Sequence, residues 1–398
     1  MRYTLSGQPA NAPAPHPPVL APTPMTSTQA LPVGAVLAVT TATQAFSTLG
    51  ALALAAVAPS AAASLGVSAA LIGYQVGLVF FGAMLSASFA GGMVMRYGAV
   101  RTSQLSLWIV AAGCVLSALG TLPALVLGAL VMGLGYGIPN PAASQLLARL
   151  PSSRSMNLLF SIKQTGVPIG GVLSGILVPP LTLALGWRPA LLVCALLLAL
   201  LGIAIGAVRR EWDSDRQPAA AVLASALRSL ALVWRHRPLR WLAGASFLFS
   251  GVQLSLTGFL VTYLVSDIHM SLVVAGTVLS VTHAAGAVGR LAWGWLADRL
   301  GSGGLALIVN GVLAIVGTLV TAAIAPQWPL PAVMIACAAF GFCALGWNGV
   351  YIAAIARNSP PGGIGLATGG SLSVTYSGVI FMGPAFAAFH DQLDLTWG

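Results

Sequence analysis

No Asp, Glu, Lys or Arg occurs between Arg2 and Arg96, and none between Arg101 and Arg149. A charged side chain at the centre of a bilayer costs at least ~2.5 to 3.5 kcal/mol, so charge-free runs of this length read as membrane crossings and the charges mark their ends. At ~20 residues per crossing each of the two runs holds two spans. The whole chain is 58% hydrophobic and 6% charged, against roughly a quarter charged in soluble domains, which excludes a soluble fold.

The remaining charge gaps place further spans. Only Lys163 interrupts Arg154 to Arg188, and single crossings fit Arg188 to Arg209, Arg240 to Asp267, Asp267 to Arg290 and Arg357 to Asp391, with two between Arg299 and Arg357. The predicted spans are 33–58, 69–93, 103–121, 123–147, 157–181, 188–208, 241–265, 271–295, 304–325, 330–355 and 365–388. Six precede the polar stretch 209–240 and five follow it. That stretch reads as a cytoplasmic linker, and its amphipathic run AVLASALRSLALVW suits a helix lying on the membrane surface. Residues 1–32 hold eight prolines and one charge, which predicts a disordered tail, with Met25 an alternative start.

The net charge of +10 is not a nucleic-acid patch. With the N-terminus cytoplasmic, nearly every loop arginine falls on the cytoplasmic side and only Arg188 on the other, as the positive-inside rule requires for a bacterial inner membrane. Cys114, Cys194, Cys337 and Cys343 all fall inside spans with no metal or redox spacing and read as packing residues. No cofactor is expected, and a monomer in the bilayer is.

The two halves share a repeat. GGMVMRYGAVR begins at Gly91 after the second span, and GWLADRLGSGG begins at Gly294 after the second span of the later half. The segment with Gly294, Asp298, Arg299 and Gly301 resembles the cytoplasmic signature loop of the major facilitator superfamily. The resemblance runs from about residue 33 to the end and implies an all-α fold of two pseudo-symmetric six-helix bundles, here 33–208 and 241–398. It also implies a transporter, not an enzyme, whose first, second, fourth and fifth helices of each half line the cavity. The first copy keeps Gly91, Arg96, Gly98 and Arg101 but has Met95 where the family has an acid. Eleven spans against the family's twelve predict a truncated C-terminus.

Polar groups within spans are the candidate site. Asp298 stands at a helix end where an acid can bind a neighbouring helix N-terminus and basic side chains, an expected gate. His283 and Arg290, seven apart on the eighth span, share a face with Gly286 between them. Arg290 also resembles the carboxylate-binding arginine of the monocarboxylate and oxalate/formate transporter branches; otherwise it is an interfacial arginine reaching toward water. Lys163, the only lysine, lies ~9 Å into the fifth span and reads as snorkelling, paired within the protein, or serving substrate. No acid lies deep in any span, so an anionic substrate is the missing counter-charge. His283 is either the carrier of a coupling proton or a hydrogen-bonded packing residue.

On the fifth span, TGVPIGGVLSG resembles an antiporter motif and is equally explained by small-residue packing with a bend at Pro168. Asn140, between Pro139 and Pro141, sits at an expected helix break. Gln44, Gln253, Trp347, Asn348, Tyr351 and Tyr376 suit either cavity walls or packing. The leading expectation is a secondary transporter of a small organic anion. A proton-linked exporter of drugs or metabolites and a non-transporting membrane sensor are the alternatives.

Overall fold

The computed structural model describes residues 31–67, 69–150 and 155–392; segment 1–30, with Met25, and residues 393–398 lie outside them. The first half opens with α1 (Val33–Ala53), a short 3-10 turn and α2 (Ala58–Leu65), then returns through α3 (Ala69–Tyr97). Next come α4 (Ala99–Ala118), the broken pair α5 (Leu122–Tyr136) and α6 (Pro139–Ala148), a second broken pair α7 (Met156–Gln164) and α8 (Gly166–Leu185), and α9 (Trp187–Ala204). The linker carries α10 (Arg209–Trp212) and α11 (Leu223–Arg235). The second half is α12 (Arg237–Ser266), α13 (Leu272–Arg299), α14 (Gly303–Ala322), the broken pair α15 (Leu330–Ala344) and α16 (Asn348–Asn358), and α17 (Ile364–Gln392).

Among the described residues ten helical stretches are long and apolar enough to cross a membrane, with mean hydropathies from 1.3 to 2.9. Helix α13, at 28 residues, is ~42 Å long and long enough to cross as well. The spans agree with those read from the charge gaps, but many run further. Helix α3 continues to Tyr97 and α13 to Arg299, because the motif residues extend the helix past the apolar run. Successive spans alternate in direction, so Gly98, the linker, Gly301 and Ser359 share one side, called here the linker side.

The broken spans follow from proline and glycine chemistry. Pro139 occupies the first turn of α6, where its missing N–H is harmless, and the chain bends at Gly137 and Ile138. The fifth span breaks at Thr165, ahead of Pro168. A proline has no N–H for the carbonyl four residues back, so the Gln164 carbonyl is released from the helix ladder. The tenth span breaks at Leu345 to Trp347.

The halves meet through α3 with α17, and α7 with α13 and α16. Gly91 lies against the backbone of Gly365 and Leu366, and Gly294 and Gly349 both lie against Ser161, with no room for a Cβ at any of them. Backbones approach this closely only through such small residues.

The linker does more than float on a surface. In α11, Ser225, Ser229 and Val233 are buried, and the helix lies on both α3 and α17. Asp213 takes the N-terminus of α4, accepting from the amides of Val100 at 2.8 Å and Arg101 at 2.9 Å, beside Gly98 at φ +90°. Burial pushes the Asp213 carboxyl above its ordinary value while the two amides pull it down. Asp213→Ala should lower stability by ~1 to 2 kcal/mol, the usual cost of an emptied helix cap, seen as a lower thermal-melting midpoint of the purified protein. An unchanged midpoint would remove this role.

Candidate functional site

Lys163 is 1% exposed, so it does not snorkel to water. Its ammonium donates to Gln44 Oε1 of α1 at 2.8 Å, to Gln164 Oε1 at 3.0 Å and, through a short contact, to Asn140 Oδ1 of α6. Three oxygens for three N–H donors is the full complement of a charged ammonium. The two helix breaks explain the convergence: Asn140 is presented by α6 just beyond the α5–α6 bend, and Gln164 ends α7.

Arg290 is also buried, at 5% exposure, and does not reach the linker-side water. Its Nη1 donates to the Gln164 carbonyl at 2.6 Å and its Nε to the Leu345 carbonyl at 3.1 Å. Each acceptor stands at a helix break, one in each half, so Arg290 bridges the halves through carbonyls that the breaks make available. Gln164 thus serves both cations, by side chain to Lys163 and by main chain to Arg290. Among the described residues the ion pairs are Arg149 with Asp215 and Arg357 with Asp298, both at the linker end. Neither buried cation has a carboxylate partner there, and holding a charge so costs several kcal/mol.

Aromatic rings stand beside these groups. Phe80, Tyr136 and Tyr376 form a three-ring cluster with centroids 5.9 to 6.3 Å apart, drawn from α3, α5 and α17. A cavity of about 110 Å³ reaches Phe80 and Tyr136 and is lined also by Thr48 and Val167. In the second half Trp347 stacks on Phe249 at 5.2 Å. The Gln253 side-chain Oε1 accepts from Trp347 Nε1 and Asn348 Nδ2, both at 3.2 Å, while the Tyr351 hydroxyl pairs with Thr375 at 3.1 Å.

The structure therefore joins Gln44, Asn140 and Lys163 directly, puts Tyr376 in one aromatic cluster and groups Gln253, Trp347, Asn348 and Tyr351 in another. It does not join His283 to Arg290. The two are ~10 Å apart along the helix axis, His283 is exposed where Arg290 is buried, and no hydrogen bond of the His283 ring is found among the described residues. Gln164, Phe80, Tyr136 and Phe249 were missed by sequence reasoning. Gln164 alone had a signal, a polar neighbour of Lys163 four residues before a proline.

Asp298, the residue expected to form a gate, stands at the end of α13. Its carboxylate accepts from the amides of Asn157 at 3.0 Å and Leu158 at 2.8 Å, from Asn157 Nδ2 at 2.7 Å, and from Arg357 at 3.4 Å. An acid of the second half thus caps α7 of the first, where the helix dipole favours negative charge. Arg299 points away, its guanidinium 4.7 Å from the Trp295 ring, so Arg357 rather than Arg299 supplies the cation. In the first-half copy, Met95 accepts from the Gln217 amide at 2.7 Å, Arg96 is exposed over Tyr97, and Arg101 lies over Trp108. The contacts of that copy are the close approach of Gly91 to α17 and the hydrogen bond from the linker. Gly301 needs only its left-handed φ of +65°.

A family model described as Major Facilitator Superfamily matches residues 40–384. A gallate transporter of Pseudomonas putida is 28% identical over 234 residues, 49% of this chain and 52% of that protein. An uncharacterized MFS-type transporter of Mycobacterium tuberculosis is 28% identical over 172 residues, 43% of this chain and 37% of that protein. The chain thus matches about half, or less, of the length of these relatives. Among solved structures, the Escherichia coli fucose:proton symporter FucP superposes with a TM-score of 0.71 at 16% identity, over 90% of this chain and 92% of its own. The human organic anion transporter MFSD10 gives 0.70 at 17% identity, over 89% and 93%. At these identities the likeness is one of fold.

Proposed function

Because this chain belongs to the Major Facilitator Superfamily of membrane transporters, we propose that it carries a small organic anion, a carboxylate first, by alternating access. The observation that supports this is the pair of buried cations, Lys163 and Arg290, held only by neutral oxygens among the described residues. A carboxylate entering between them replaces amide and carbonyl oxygens with a full negative charge, and a charge-assisted hydrogen bond is about twice as strong as a neutral one. Arg290 then gives up carbonyls belonging to opposite halves, and binding is coupled to their relative movement. Substrate binding shifts the two-state equilibrium only by such differential contacts.

The ring clusters suit a substrate with an apolar or aromatic body, and the gallate transporter relative carries, by its name, an aromatic carboxylate. The loop arginines favour placing the linker side in the cytoplasm of an inner-membrane monomer. With no deep acid in any span, an exposed His283 is the group we assign to a coupling proton.

Purified protein should gain several degrees of thermal stability with a small carboxylate, benzoate or gallate for example, and lose that gain in Lys163→Ala. Stabilisation by lipophilic cations in place of carboxylates would turn the reading toward a drug exporter.

A further inference from the structure

Helix α11 is strongly amphipathic, and the face it buries mixes small polar residues with Leu232 and Val233. Ser225, Ser229 and Val233 pack on the bundle: the Ser225 hydroxyl, which donates to the Val222 carbonyl at 2.5 Å, stands 3.3 Å from the Phe89 carbonyl of α3, and the Ser229 carbonyl meets Gly370 of α17. A second set of large apolar residues faces outward: Leu223 is 84% exposed, Leu227 77% and Trp234 53%. At about 100° per residue these three fall within ~40° of one another. Arg228 and Arg235 lie ~100° to one side of that stripe, and the bundle-facing serines lie on the other side. Where α12 begins, the exposed Trp241 and the arginines 237 and 240 continue the same pattern.

We infer that α11 is a lipid-anchored strap: its Leu223, Leu227 and Trp234 stripe enters the acyl boundary and its arginines bind anionic phospholipid headgroups, which holds α3 and α17 together. The chemistry is that of interfacial helices, an apolar stripe flanked by arginine with tryptophan at headgroup depth. The occupant is the bilayer rather than a protein partner because the charge is cationic throughout this face, with Arg228, Arg235, Arg237 and Arg240 and no acid between Asp215 and Asp267. The consequence is regulatory. Helix α3 belongs to the first half and α17 to the second, so a helix gripping both opposes opening of the linker side, and anionic lipid strengthens the grip. This reading stands whatever the transported solute is.

The test uses the full chain with its four cysteines replaced by alanine and a reporter at Ser229→Cys, beneath the strap. It is placed in nanodiscs of phosphatidylcholine alone or of an equal mixture with phosphatidylglycerol, and alkylation by a small maleimide is timed. Alkylation should be at least about fivefold slower in the anionic discs, the factor that one surface arginine is worth. Arg228→Gln with Arg235→Gln should abolish the difference, and Leu227→Asn should speed alkylation in both lipids. Equal rates in the two lipids with the arginines intact, a difference that survives the double substitution, or an unchanged rate in Leu227→Asn would each overturn the proposal. So would protection by inorganic phosphate in phosphatidylcholine discs, which would assign the site to a free anion.

Discussion

Arg290→Ala should reduce carboxylate uptake into proteoliposomes by about 100-fold or more, while the thermal-melting midpoint of the protein without substrate changes little. The two effects separate because they draw on different terms. The substitution removes two charge-assisted hydrogen bonds, worth ~1.5 to 3 kcal/mol each, and leaves the Gln164 and Leu345 carbonyls without that donor. It also removes a buried cation that has no carboxylate beside it, relieving a desolvation cost of several kcal/mol. These nearly cancel in stability, but nothing replaces the charge that a substrate carboxylate would meet. Arg290→Lys keeps the charge and loses the planar fork, so one amine faces two carbonyls of opposite halves; uptake should fall by about tenfold. Uptake by Arg290→Ala within a few-fold of the native rate would sink the proposed site.

Asp298→Asn should slow turnover by at least about tenfold while leaving substrate affinity nearly unchanged. The carboxylate uses both oxygens on the first turn of α7 and holds Arg357 besides. An amide keeps one oxygen, turns an NH₂ toward a backbone amide and offers Arg357 no charge. Loss of one such contact, ~1.5 to 3 kcal/mol, shifts the balance between closed and open linker side by about tenfold to a hundredfold. Spin labels placed on the linker-side ends of α7 and α13 would report longer distances in the variant. Arg299→Gln, with its side chain on Trp295 and outside the latch, should leave turnover and distances as they are. A native distance distribution in Asp298→Asn would remove the gate.

The membrane class and the approximate spans were legible because a bilayer penalises charge at every position, so that each Arg or Asp reports directly on depth. The repeat and its Asp298 were legible because the motif is local: glycine, acid and arginine within one turn and a loop. Arg290 and Lys163 were found for the same reason, as cations in apolar runs, and Gln44 and Asn140 as polar groups in spans, but which group meets which was not. Gln164 contributes one oxygen from its side chain and one from its main chain, and the second is free only because Pro168 lies four residues on. The Leu345 carbonyl carries no side-chain signal at all. The choice of Arg357 over Arg299 for the latch rests on where α16 ends, 59 residues away from Asp298 in the chain.

The same division applies to the linker. Its amphipathic run was visible from the period of leucines and arginines, and predicted a helix at the membrane surface. Only the packed chain put Ser225 and Ser229 beneath it, against Phe89 and Gly370, and made it a strap across both halves. One-dimensional terms, charge against hydrocarbon and proline against a helix ladder, therefore determined what the chain is and where two of its spans, the fourth and the fifth, break. Which group meets which was decided by tertiary structure, since a hydrogen bond between helices depends on contacts that no local pattern encodes.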